Sequence, residues 1–219
     1  MIAPPSTEQE LLERAENIAG KTLRQLATMH DVPVPEKLTQ SKGWVGELIE
    51  TCLGASAGPL PEPDFQDIGI ELKTLPLNKN KLPKESTFIC VVSLAAKGSE
   101  KWETSLVRKK LSRVLWVPVE ADKSIPVGER RIGSAILWSP DRKEEKILRQ
   151  DWEELTELIA LGNLKLITSQ HGKYLQIRPK AANAKALRNS HDEHGENILT
   201  LPRGFYLRSS FTSRLLNTL

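Results

Sequence analysis

The sequence predicts an α/β fold, a mixed sheet with helices on its faces, on three observations. Apolar runs of strand length alternate with amphipathic stretches of helix length. Some neighbouring runs are separated only by short polar, turn-forming segments of hairpin type, so the strands cannot all be parallel. The 219 residues are 39% hydrophobic and 27% charged, an ordinary globular balance that suits one large domain or two small lobes sharing a core.

The elements follow in chain order. "STEQELLERAENIAG" opens with a capping box, Ser6 to Gln9, and repeats Leu11, Leu12, Ala15, Ile18 and Ala19 at helical spacing. A short helix covers Leu23 to Met29, and "DVPVPEKL" is a proline-rich connection. "GWVGELIETCLG" reads as a helix ended by Gly54, with Trp44, Leu48, Ile49 and Leu53 apolar, and "ASAGPLPEP" as loop. Strands are expected at Ile68–Leu75, Thr87–Leu94, Val114–Val119 and Ala135–Trp138. "NKNKLPKE" suits a hairpin turn between the first two, and "WETSLVRKKLSR" is helical. "PDRKEEKILRQDWEELTELIALG" is a long helix with Ile147, Leu148, Trp152, Leu155, Leu158 and Ile159 in phase, closed by Gly162. After it, "KYLQIRP" and "GFYLRS" read as strands, and "AANAKAL" and "SFTSRLLNTL" as helices. There is no internal repeat.

No apolar run reaches the roughly 20 residues that span a bilayer, and "MIAPPSTEQE" lacks a basic region leading into an apolar core. Cys52 and Cys90 form no CxxC pair. A reduced, cytoplasmic setting is expected. The net charge is only +3, yet from Lys165 onward nine Lys/Arg stand against Asp192, Glu193 and Glu196. That basic quarter fits either a polyanion partner or a solvated surface with its counter-charges elsewhere.

The chemistry-bearing stretch is "PEPDFQDIGIELKTLPL". On a strand, Ile68, Ile70 and Leu72 share one face, and Gly69, Glu71 and Lys73 the other. Phosphodiester hydrolysis needs an activated water and neutralisation of developing negative charge. Carboxylates holding Mg²⁺ serve both needs. Asp64 precedes the strand and Glu71 lies in it, so a bend could bring both to one metal, with the Leu72 carbonyl as a backbone ligand. Lys73 could orient water or stabilise the phosphorus centre. Pro-Asp, six residues, then Glu-x-Lys is the pattern of the PD-(D/E)xK nucleases. The motif by itself also fits a surface strand with a plain Glu–Lys pair. Glu50, at the end of "GWVGELIE", supplies a further acid.

Six blocks carry a wider likeness: "KGWVGELIE", "DIGIELKTLPL", "WETSLVRKKLSRVLWVPVE", "RRIGSAILWSP", "YLQIRPKAANAKAL" and "LPRGFYLRSSFTS". In this order, from about Lys42 to Ser213, they resemble the MutH family of methyl-directed mismatch-repair endonucleases. The resemblance implies a single restriction-endonuclease-like domain, 1–219, with two arms forming a DNA-binding cleft. Its catalytic residues would lie near 50–110 and its DNA-reading residues near 165–219. It implies Mg²⁺-dependent nicking of the unmethylated strand at hemimethylated GATC, 5′ to the G, activated by MutL after MutS finds a mismatch, by a monomer. By matching position, Asp64, Glu71 and Lys73 form the catalytic set, Glu50 an acidic position near the metals, and Lys110 a basic residue near the active site. Arg178, Lys180 and Tyr206 match positions on the DNA-reading side.

Arg and Lys can bond guanine O6 and N7, while phosphate contacts position without specifying. Lys42, Lys173, Lys185, Arg188 and Arg203 are read as further DNA contacts, the last four to phosphates. An adenine N6-methyl adds bulk and removes a donor hydrogen, which a tight contact from Tyr206 or Lys180 would sense. "HDEH", His191 to His194, looks like a metal cluster but suits a loop better, and His171 reads as a turn residue rather than a general base. Trp102, Trp116, Trp138 and Trp152 read as core. Asp67 ranks behind Asp64 as a metal ligand, for want of the Pro-Asp context. "EEKILRQDWEELTE" is a solvated acidic helix face or a docking surface. Two other functions fit the same residues: a restriction enzyme cutting both strands, and an inactive DNA-binding module.

Overall fold

The computed structural model describes residues 2–58, 60–94, 100–180 and 187–216. They divide into two compact units, Met1–Lys84 with Ser112–Ser139, and Glu85–Leu111 with Pro140–Leu219.

The first unit holds helices α1 (Glu8–Ile18), α2 (Leu23–Met29) and α3 (Trp44–Leu53). Its sheet orders β1 (Glu71–Leu77), β3 (Val114–Glu120) and β4 (Ile136–Trp138), with β1 parallel and β4 antiparallel to β3. This is the mixed sheet expected from the sequence. Central β3 is buried at every position but its last, which is why "VLWVPV" is continuously apolar. Leu11, Leu23, Leu26, Ile49 and Leu53 of the helices meet Leu72, Leu115 and Val117 of the sheet in one core.

Three expectations are corrected here. The cap of α1 is Thr7, whose hydroxyl accepts from Glu10 N–H at 3.1 Å; the Ser6 N–H donates instead to the Glu10 carboxylate at 2.8 Å. β1 begins at Glu71 rather than Ile68, because Gln66–Ile68 close into a 3₁₀ turn and Gly69 takes φ +65°. β1 and the next strand in the chain, at Thr87–Val91, do not form a hairpin. β1 pairs with β3, which needs a partner on each side to satisfy a backbone buried from water, and β2 (Thr87–Val91) belongs to the other unit.

The second unit orders β2, β8 (Arg203–Leu207) and β5 (Leu175–Pro179) as an antiparallel sheet. Helix α5 (Arg142–Ala160) buries Leu148, Trp152, Leu155 and Ile159, with Leu175, Phe205 and Leu207 of the sheet also buried. A capping box, Asp141 with Glu144, starts α5, and Gly162 at φ +73° follows its end. "WETSLVRKKLSR" is split at Ser105 into a 3₁₀ turn and α4 (Leu106–Leu111). "HDEH" is not a plain loop: β6 (Arg188–His191) and β7 (Asn197–Thr200) form a hairpin through it, its turn held by Asp192 Oδ1 on the His194 and Glu196 N–H groups. Helix α6 (Ser209–Leu216) is the last element among the described residues, and most of "AANAKAL" lies outside them.

Candidate active site

At the head of β1, the backbone turns back on itself. Phe65 N–H donates to the Ile70 carbonyl at 2.9 Å and Ile70 N–H to Phe65 at 3.2 Å, a closed loop that Gly69 permits. The loop sets Asp64 beside the strand, where Asp64 Oδ2 accepts the Leu72 N–H at 2.8 Å. Glu71 N–H instead bonds the Arg113 carbonyl, next to β3. In a strand, the N–H and C=O of one residue leave on the same side. The Leu72 carbonyl therefore emerges on the open edge of β1, the edge that faces Asp64.

Glu71 is 1% exposed, and its Oε1 accepts from Lys73 Nζ. Both side chains leave the same face of the strand, as alternation requires. Glu50, on α3, completes the group. Burial, then the charge of Asp64, pushes its carboxyl above the ordinary carboxylate range, and Lys73 opposes the shift. The structure thus brings together Asp64, Glu71, Leu72 and Lys73, with Glu50 near enough to feel the charge of Asp64 but not converging with Asp64 and Glu71 on one ion site. Lys110 lies on α4 in the second unit, and Lys42 is exposed just before α3. Asp67 is exposed in the 3₁₀ turn.

Among the described residues no three His, Cys, Asp or Glu side chains converge as a metal cluster. Asp64, Glu71 and the Leu72 carbonyl are instead two carboxylates and one backbone oxygen. That donor set fits Mg²⁺, which takes hard oxygens, keeps several waters, and is commonly held by one or two carboxylates plus substrate phosphate.

The second unit carries a different surface. Gln176 and Arg178 share a face of β5, and Lys180 follows directly after the strand's end. Register places Gln176 opposite Tyr206 and Arg178 opposite Gly204, with Phe88 opposite Tyr206 on the far strand. Lys180 Nζ lies 3.6 Å from the Phe88 ring centroid, and the Arg178 guanidinium 5.7 Å from that of Tyr206. Partial burial lowers the Lys180 ammonium below its ordinary range and raises the Tyr206 phenol above its own. Tyr206 thus keeps its hydroxyl proton as a donor at neutral pH. Gln176 Nε2 donates to Ser86 Oγ at 2.7 Å.

The other expected DNA contacts scatter. Arg203 pairs with Pro179, on the opposite face from Gly204, and its buried Nε has no hydrogen-bond partner among the described residues. Lys173 is exposed at the approach to β5, Arg188 is exposed on β6, and Lys185 lies outside the described residues. Phe88 and Gln176 were not singled out by sequence reasoning. "TFICVV" reads as an apolar core strand, and only its pairing with β8 shows that Phe88 faces the cationic side.

Comparison with known proteins adds the following. The family model described as "DNA mismatch repair enzyme MutH" matches residues 53–151. Proteins named "DNA mismatch repair protein MutH" from Escherichia coli O6:K15:H31 (strain 536 / UPEC), Escherichia coli O17:K52:H18 (strain UMN026 / ExPEC) and Shigella flexneri serotype 5b (strain 8401) are each 54% identical over 216 residues. The alignment covers 99% of this chain and 94% of each of those proteins.

Proposed function

The chain belongs to the MutH family of DNA mismatch repair enzymes, and from that premise we propose that it is a Mg²⁺-dependent endonuclease nicking the unmethylated strand at hemimethylated GATC, 5′ to the G. The observation that carries the reading is the group at the head of β1, where Asp64 meets Leu72 N–H and Glu71 meets Lys73. An apolar strand face would stabilise the fold at least as well as such a group.

In this reading Asp64, Glu71 and the Leu72 carbonyl hold the metal. When bound, Mg²⁺ supplies a Lewis acid for the scissile phosphate and lowers the pKa of a water. Lys73 shares Glu71's strand face, where its ammonium orients the attacking water and offsets charge on the phosphate oxygens. Glu50, its carboxyl raised, supplies a second acid beside Asp64. Lys110 is assigned a supporting cation near the scissile phosphate. Arg178 and Lys180 read guanine, and Tyr206 meets the adenine edge where an N6-methyl would stand. Lys42, Lys173, Lys185, Arg188 and Arg203 are assigned to phosphate or flanking contacts. The two-armed cleft, a monomeric enzyme, activation by MutL downstream of MutS, and a cytoplasmic setting belong to the same proposal. No helix among the described residues is long and apolar enough to cross a membrane.

The test is a nicking assay on unmethylated, hemimethylated and fully methylated GATC duplexes with Mg²⁺, with and without MutL. Nicks confined to unmethylated strands, raised by MutL and lost in Glu71→Ala and Lys73→Ala, are expected. Unaided cleavage of both strands would replace the proposal with a restriction enzyme. GATC binding without cleavage would replace it with a binding module.

A further inference from the structure

Gly204 sits in the interior of β8, the central strand of the second unit's antiparallel sheet. Its φ is not among the positive ones, so nothing in the backbone calls for glycine. Glycine inside a strand weakens it, and such a residue commonly marks a place where something must approach closely. Here what approaches is a pair of rings. A Cβ on Gly204 would stand 2.7 Å from Phe88 Cε2, 3.1 Å from Phe88 Cδ2 and 3.1 Å from Tyr206 Cε2. At the first of these distances something has to move, and both rings lie in the way.

The pairing of β2 with β8 explains the approach. Phe88 is opposite Tyr206, but the register then slips, so that Cys90 meets Phe205 and Val91 meets Gly204. An irregularity of this kind re-aims side chains, and it leaves the Phe88 ring lying across the bare Cα of Gly204. From there the ring touches both reading side chains. It meets Tyr206 edge-on, centroids 5.3 Å apart at 65°, and carries the Lys180 ammonium 3.6 Å from its centroid. Arg178, opposite Gly204, flanks the other side of Tyr206.

We infer that Gly204 is a positioning residue for base and methyl recognition: its missing side chain seats the Phe88 ring, and that ring fixes both Tyr206 and Lys180. The inference rests on the proposal that Tyr206 and Lys180 read DNA. Sensing a single methyl group is a steric measurement, so a displacement well under a base-pair step is enough to blur it. Phosphate contacts made by long flexible lysines absorb the same displacement.

The experiment compares nicking kinetics of wild type, Gly204→Ala, Phe88→Leu and the double variant on hemimethylated and fully methylated GATC duplexes, with a duplex lacking GATC as the binding control. Gly204→Ala is expected to reduce discrimination between the two GATC duplexes about tenfold, the order of one lost base contact, and to raise KM more than it lowers kcat. Affinity for the duplex lacking GATC stays unchanged. Phe88→Leu reproduces the loss, and the double variant is no worse than either, because both act through one ring. Where Gly204→Ala does not fold, by melting curve, Phe88→Leu carries the test. An unchanged ratio in the folded variants, or losses that multiply in the double variant, overturns the inference. Lys180→Ala and Tyr206→Ser run alongside. If these also leave the GATC preference intact, the DNA-reading assignment itself fails; if only they destroy it, the assignment stands and the role of Gly204 falls.

Discussion

Lys73→Met, in protein freed of metal by chelator, separates what the head of β1 does for stability from what it does for chemistry. The Glu71 side chain is 1% exposed and that of Lys73 17%. Removing the ammonium leaves a carboxylate in the interior without that partner. Breaking a buried pair from one side costs about 3–5 kcal/mol; the residual exposure of Lys73 lets water screen part of it, so about 2–4 kcal/mol is expected here. A chain of this size loses roughly 2–4 °C in Tm per kcal/mol, which gives a fall of roughly 5–15 °C. Glu71→Gln/Lys73→Met removes both charges and is expected to recover most of that loss. Nicking disappears in both. The assay is a pair of melting curves with a urea titration beside them. The reasoning is refuted if Lys73→Met melts with wild type, or if the double variant melts as low as the single.

Three further outcomes follow from other sites. Burial and the neighbouring Asp64 raise the Glu50 carboxyl in the folded protein, so its charged form opposes folding: stability is full below the unfolded pKa and lost as pH rises through the folded one. Glu50→Gln is therefore expected to raise Tm at pH 8, with the gain vanishing towards pH 4; a gain independent of pH would contradict this. Asp151 is 5% exposed and accepts N–H groups from Lys173, Tyr174 and Leu175 at 2.8, 2.6 and 2.8 Å. Asp151→Asn faces those donors with an amide NH₂ and is expected to destabilise by about 2–4 kcal/mol, read by urea unfolding. If Lys173 and Arg188 contact phosphates, alanine at either should weaken binding equally across sequences and lower the salt-dependence slope by about 1, read by binding at several salt concentrations.

Local signals made much of the fold legible, and non-local ones hid the rest. Helix α3 was readable because Gly54 ends it, at φ +82°, and α5 because its apolar stripe runs in phase up to Gly162, whereas the capping box that starts α5 emerges only in the structure. The pairing of β1 was not readable. Its partner lies beyond the whole of β2 and α4, and the polar turn "NKNKLPKE" carries the same residues whether or not a hairpin follows. The strands β6 and β7 escaped because "RNSH" and "NILT" are only four residues each and neither alternates apolar with polar; the structure joins them through a turn that Asp192 closes. At the site, Asp64, Glu71 and Lys73 stood out because their types and spacing carry the chemistry in sequence. Phe88 and Gln176 did not, since their meaning comes from which strands lie beside them.

Both proposed sites break a rule that the rest of each unit obeys. The first unit fills its sheet with leucine, isoleucine and valine, yet places a charged pair on β1, at positions where apolar side chains of similar volume would stabilise at least as well. The second unit places glycine in the interior of its central strand, where the backbone asks for none. On the proposed reading, stability is given up where other atoms would disturb a working group: the charges of Glu71 and Lys73, and the rings above Gly204. The consequence is testable in reverse. Variants selected only for a higher melting temperature should accumulate apolar residues at 71 and 73 and lose cleavage first. Variants selected for stability together with cleavage, but not for methylation state, should keep Glu71 and Lys73 and fill position 204 instead. If the second selection leaves Gly204 untouched while stabilising substitutions accumulate elsewhere on β8, the glycine answers to a constraint other than recognition.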